Sequence, residues 1–172
     1  MYARKARKFF VKSSGTVPLC PSCGGNLSYR DARMRIRRKE GGRTDHLIIR
    51  RFRCEECGHY HNELPDCLLP YKHYESEVVT GVLDGVVTPD DQDSEDYPCF
   101  MTMLRWICWF SKNLENIEGF LRKVQSRIQH VEEQSLAGVS LLTALRTSSG
   151  NWLALSVRTV YNSGGYLPAF SL

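Results

Sequence analysis

Two Cys-x-x-Cys-Gly knuckles constrain this chain more than any other feature. Cys20-Pro21-Ser22-Cys23-Gly24 and Cys54-Glu55-Glu56-Cys57-Gly58 stand with 30 residues between Cys23 and Cys54. Two thiolates three positions apart on a tight turn can grip one edge of a metal tetrahedron, and two such turns complete a four-cysteine site of the zinc-ribbon kind. The glycine after each second cysteine supplies the positive φ such a turn commonly needs. The spacer exceeds the usual length of roughly 15–20 residues, which a long hairpin would explain. A redox disulfide pair is the rival reading. With cysteine at all four positions no coordination site is left open for catalysis, so one structural Zn²⁺ is expected on Cys20, Cys23, Cys54 and Cys57.

Charge is divided unevenly. Residues 1–53 hold 15 Lys and Arg against 3 Asp and Glu, while residues 55–172 hold 8 against 16, so the net +4 hides a basic first third. Such a block points to a polyanionic partner; an ordinary solvated surface is the plainer alternative. Three cysteines, Cys67, Cys99 and Cys108, remain outside the knuckles. No signal-peptide pattern follows the basic start, and the apolar stretch Cys99–Phe110 contains Arg105 and is too short to span a bilayer. A reduced, soluble, cytoplasmic protein without a membrane partner is therefore expected.

Taken in order, residues 1–17 read as a basic arm with Arg4, Lys5, Arg7 and Lys8, able to follow a phosphate backbone or to fray. Residues 18–72 form the ribbon. Asn26–Arg38 and Leu47–Arg53 read as hairpin strands around a Gly41-Gly42 turn, with His59–Leu64 as a third strand. Arg33, Arg35 and Arg37 recur at period two and so share a face, where an anion or water must meet them. Together with Arg50 and Arg51 they are the expected phosphate contacts of the ribbon. His59 and His61 follow the second knuckle; either could replace a thiolate, but with four cysteines in place both are expected to be ordinary strand residues.

Residues 73–172 read as a helical domain. Glu75–Leu83 forms a short helix ended by Gly85. Residues 88–96 form an acidic loop without the pattern of a calcium site. Pro98 opens a helix to Lys112 whose expected core stripe is Phe100, Met103, Leu104, Ile107 and Phe110. Thr102, Arg105, Trp106, Trp109 and Lys112 take the opposite face, with the two tryptophans more at home in a core. The helices 75–83 and 98–112 suggest a helix-turn-helix with an enlarged turn, in which Thr102 and Arg105 would face DNA. Leu114, Ile117, Leu121, Val124, Ile128 and Val131 form a heptad-like seam. Helices over Gln134–Arg146 and Asn151–Asn162 follow, and then an apolar tail from Tyr166 to Leu172. Nothing in the chain nominates a catalytic residue.

The run Cys20–Gly25, the segment Ile49–Cys54, His61-Asn62-Glu63-Leu64-Pro65-Asp66 and Pro70-Tyr71-Lys72 together resemble an uncharacterised bacterial zinc-ribbon family, common in Firmicutes and found with mobile elements. The chain is also similar to the zinc-ribbon plus helix-turn-helix front ends of insertion-sequence transposases. The resemblance is specific over residues 20–74. It implies DNA binding linked to transposition and supplies no transposase active site. The expected protein is α+β, a four-cysteine zinc ribbon followed by a helical domain with a helix-turn-helix-like part. It would act as a DNA-binding accessory or regulator of a transposon, with RNA left open as ligand. The alternative is an adaptor that docks a transposase or another partner, and self-association is compatible with either.

Overall fold

The structure is a computed structural model and describes residues 7–11, 18–88, 90, 98–129 and 140–169. It is α+β: among the described residues, four strands precede four α-helices. The strands are β1 (Arg7–Phe10), β2 (Leu27–Arg38), β3 (Thr44–Cys54) and β4 (Tyr60–Asn62). The helices are α1 (Ser76–Leu83), α2 (Phe100–Gln129), α3 (Leu141–Ser148) and α4 (Trp152–Asn162). The chain divides into two compact units near Val78 and Val79.

In the first unit the antiparallel pair β2–β3 is the frame. Its turn holds Gly41 at φ 73° and Gly42 at φ 65°, a backbone only glycine adopts freely. β1 lies parallel to the first half of β3, and β4 lies antiparallel to its second half, so both occupy the edge of β3 that β2 leaves free. Within the expected basic arm, residues 7–10 are a strand. Arg4 and Lys5 lie outside the described residues.

A β-bulge between Tyr29 and Asp31 shifts the register of β2. Tyr29 pairs with Phe52 and Asp31 with Arg51, so these two odd-numbered residues lie on opposite faces. Beyond the bulge, Arg33, Arg35 and Arg37 share a face with Ile49, Leu47 and Asp45, their partners on β3. That face carries the core of the unit, Leu47, Ile49 and Leu68, with Val11, Leu64 and Cys67 packed against it. The other face leaves Phe10, Tyr29 and Met34 exposed.

The second unit buries a tryptophan-rich core. The segments read as a helix to Lys112 and a separate seam are one continuous helix, α2. Its buried side is Met103, Trp106, Trp109, Phe110, Asn113, Ile117 and Leu121. The expected stripe of Phe100, Leu104 and Ile107 is only partly inside, with Phe100 exposed. The seam holds at Ile117 and Leu121 and is half-buried at Val124, whereas Leu114 is exposed. The side chain of Ile128, and Val131, lie outside the described residues. Asn113 is tolerated inside because its amide donates to the carbonyls of Trp109 and Pro168 at 2.8 and 3.4 Å.

Helix α2 packs on α3 and α4, and α3 on α4. Ser140 caps α3, accepting from the N–H of Thr143 at 3.1 Å. The residues before Ser140 in the expected Gln134–Arg146 helix lie outside the described residues. α4 matches its expected span to within a residue. The tail is tucked in at Leu167, which is buried, while Tyr166 stays exposed; residues 170–172 lie outside the description.

Among the described residues α1 and α2 share no extensive packing. The last turn of α1 is held by Arg146, which donates to the carbonyl of Leu83 at 2.6 Å and to Asp84 at 2.7 Å. Trp152 adds an indole N–H bond to Asp84 at 3.1 Å. A helix-turn-helix is therefore not shown by these residues, and most of the acidic loop between α1 and α2 is outside the description. No described helix is long and apolar enough to cross a membrane.

Candidate metal centre and nucleic-acid interface

The knuckles cap the two ends of the hairpin strands that lie away from the Gly41–Gly42 turn. In each, the glycine N–H returns to the first cysteine carbonyl: Gly24 to Cys20 at 2.8 Å and Gly58 to Cys54 at 3.1 Å. Both glycines are left-handed, at φ 78° and 74°. The two turns are tied together by the N–H of Glu55, which donates to the carbonyl of Asn26 at 3.1 Å. Register therefore brings the thiols into one cluster.

The Sγ atoms of Cys20, Cys23, Cys54 and Cys57 all lie within 4.8 Å of one another and could hold a metal ion. Cys20 stands 3.6 Å from Cys57, and Cys23 stands 3.5 Å from Cys54. A tetrahedral ion with thiolate bonds of about 2.3 Å sets its sulfurs about 3.8 Å apart, so the donor set fits. No disulfide links them; all are free thiols. Cys20 and Cys54 are buried, and Cys23 and Cys57 are exposed.

Crowding splits the four acidities. Burial works to raise the pKa of Cys20, but the N–H groups of Cys23 and Ser22 outweigh it and bring it to about 5. The N–H of Gly25 favours the Cys23 thiolate, yet the neighbouring Cys54 sulfur and burial push that thiol up to about 12. Cys54 is lowered, first by the N–H of Cys57. Cys57 is raised: its bond from the N–H of His59 is outweighed by burial and by Cys54. Four thiols this close oppose one another's ionisation, and a divalent cation would relieve that by compensating their charges.

The Nε2 of His61 lies 3.3 Å from the Sγ of Cys20, against a thiol of the cluster.

Beside the knuckles the ribbon gathers arginines. The ring of Tyr60 has the guanidinium of Arg30 at 4.5 Å, Arg51 at 5.6 Å and Arg53 at 6.0 Å from its centroid. Asp31 takes a fork from Arg51, with Nε at 2.8 Å, while Arg30 approaches the same carboxylate only to 3.7 Å. The pKa of Asp31 is lowered first by the Arg51 bond and further by the charges of Arg30 and Arg33. One carboxylate thus stands among several cations.

The expected phosphate contacts are placed unequally. Arg33 is exposed, and Arg35 is half-buried with a bond to the carbonyl of Lys72 at 3.0 Å. Arg37 sits between Asp45 at 2.7 Å and Glu75 at 3.3 Å. Arg50 makes a fork to Glu63 at 2.7 and 2.8 Å. Lys8 and Arg105 are exposed; Arg7 contributes its backbone to β1. The hydroxyl of Thr102 lies 3.3 Å from the Sγ of Cys99, and Thr102 and Arg105 are in the second unit, apart from the ribbon arginines in the chain's division. Arg30, Arg53 and Tyr60 were not among the expected contacts. Their signal was in the sequence, as basic residues just after Tyr29 and just before Cys54 with an aromatic in the third strand.

No curated protein and no solved structure matches the chain. A family match covers residues 20–106, from the first knuckle cysteine into α2 and just over half the chain, and by it the protein belongs to the family described as Domain of unknown function (DUF6431).

Proposed function

We propose that this protein is a zinc-ribbon DNA-binding protein, with one structural Zn²⁺ on Cys20, Cys23, Cys54 and Cys57. Four thiolates at tetrahedral separation are the donor set of structural zinc. The observation that carries DNA binding is the arginine group on Tyr60. Arg30, Arg51 and Arg53 meet on that ring, and the carboxylate Asp31 is already taken in a fork by Arg51 and met by Arg30 only at 3.7 Å. The group adjoins the metal knuckles on the basic third of the chain and keeps an excess of positive charge. A guanidinium held over an aromatic ring keeps its donors free for phosphate oxygens and loses less entropy on binding. The resemblance to transposase front ends directs the role toward an accessory or regulator of a mobile element. No residue has a catalytic part in this reading. Thr102 and Arg105, if they reach DNA, do so from the second unit.

The test is titration of zinc-loaded protein with duplex DNA over several salt concentrations. Each phosphate contact contributes a slope of about −0.9 in log–log. Replacing Arg30 and Arg53 by alanine should flatten the slope by about two units and weaken all sequences alike. Salt-independent binding, or none, sinks the proposal. A second reading, the adaptor, is favoured by the exposed Phe10, Tyr29 and Met34 on the other sheet face; loss of partner capture on replacing them would support it.

A further inference from the structure

We propose that Arg35, with His73 of the Pro70–Tyr74 turn, forms a pocket for one phosphate group, taken from a nucleic-acid backbone. It rests on the DNA reading for its natural ligand but on its own residues for its chemistry.

Within the ladder on β2, carboxylates are shared unevenly. Arg37 has Asp45 and Glu75. Arg35 reaches only the carbonyl of Lys72 by a described hydrogen bond, and its Nε is buried without a partner. The charged neighbour that acts on it most is another cation, Arg33. A guanidinium withdrawn from water with an empty donor is a group that an oxyanion would satisfy.

The turn is built to hold its residues there. The N–H of Arg38 donates to the carbonyl of His73 at 2.8 Å, and the N–H of Glu75 donates to the carbonyl of Arg38 at 2.9 Å, so residues 73–75 line the free edge of β2. Tyr71 adopts φ 60°, where a non-glycine residue is strained, and its side chain is exposed. Burial, and then the nearby charges of Arg35 and Arg38, lower the pKa of the His73 imidazole. Cations gathered in this way are relieved by an anion among them.

The experiment follows the ring signals of His73 by NMR in the zinc-loaded full chain at constant ionic strength. Three titrations are compared: inorganic phosphate against chloride, a short duplex DNA, and the same duplex with Arg35→Gln. A saturable shift with phosphate or duplex, weakened at least tenfold in Arg35→Gln, supports the pocket. Phosphate and chloride acting alike, with no shift on duplex binding, overturns it. If Arg35→Gln perturbs the fold, Arg35→Lys, which keeps the charge but not the Nε donor, gives the same reading. Duplex binding with an ordinary salt slope and a His73 unmoved by duplex or phosphate would refute the pocket and leave the DNA reading standing. A His73 shift with phosphate, and no duplex binding at any salt concentration, would keep the pocket and remove the DNA reading.

Discussion

The imidazole Nε2 of His61 stands 3.3 Å from the Sγ of Cys20, so a third strand supports a thiol set by the first knuckle. With its N–H toward sulfur, His61 would stabilise the thiolate and orient it as an outer partner of the metal. His61→Ala should therefore weaken metal binding by about 10–100-fold without changing the four-thiolate coordination. Competition with a chelator gives the affinity, and the absorption of the Co²⁺-loaded protein reports the donor set. Unchanged affinity would remove the role.

Removal of metal should unfold the ribbon and spare the helices. Structural zinc contributes about 10–16 kcal/mol in small domains. Strong chelator, or Cys20→Ser, should therefore erase the dispersed amide signals of β2 and β3 while the helical circular dichroism persists. A ribbon that keeps its strand signals without metal would show that the Leu47–Ile49–Leu68 core suffices.

The start of α3 depends on a carboxylate from α2. Glu118 accepts from the N–H groups of Leu141 and Leu142, each at 2.9 Å, and from the hydroxyl of Ser140 at 3.1 Å. Burial acts to raise its pKa, but these donors and Arg122 leave it lowered. A depressed carboxylate adds stability above its unfolded pKa, near 4.3, and loses it as pH falls through the folded value. Glu118→Gln should cost about 1 kcal/mol at neutral pH and flatten the loss of stability below about pH 4. Denaturant melts at neutral and acid pH check both statements, and parallel acid curves for wild type and variant would refute the assignment.

A Cβ on Gly165 would stand 2.7 Å from Cε1 of Phe120. Gly165→Ala should therefore lower stability by about 1–3 kcal/mol through overpacking. Phe120→Leu in the same chain should recover part of that loss, and equal penalties in both backgrounds would rule out a steric cause.

The knuckles, the hairpin between them and the limits of α1 and α4 are legible in the sequence because their signals are local: cysteine spacing, a double glycine, a Gly85 stop. What escapes is what distant residues decide. β1 gains its place only from pairing with β3, and four basic residues alone read as an arm. The continuity of α2 is hidden because buried Asn113 interrupts the apolar period, and its polarity is absorbed by the carbonyls of Trp109 and Pro168. The arginine ladder is read correctly as sharing a face, yet its partners Asp45 and Glu75 come from other segments. The bulge after Tyr29 leaves no mark in the alternation, and it alone explains why Tyr29 and Asp31 part company.

The knuckles flank β2 and β3 at the hairpin's open end, so a metal there would act as a ruler. Sliding one strand by one residue would displace one thiol pair by about 3.4 Å and invert every side chain beyond it. That shift approaches a full sulfur–sulfur separation, so a slipped hairpin could not coordinate the ion with all four thiols. Metal occupancy would thus proofread strand alignment and reward only the pairing that turns Leu47 and Ile49 inward.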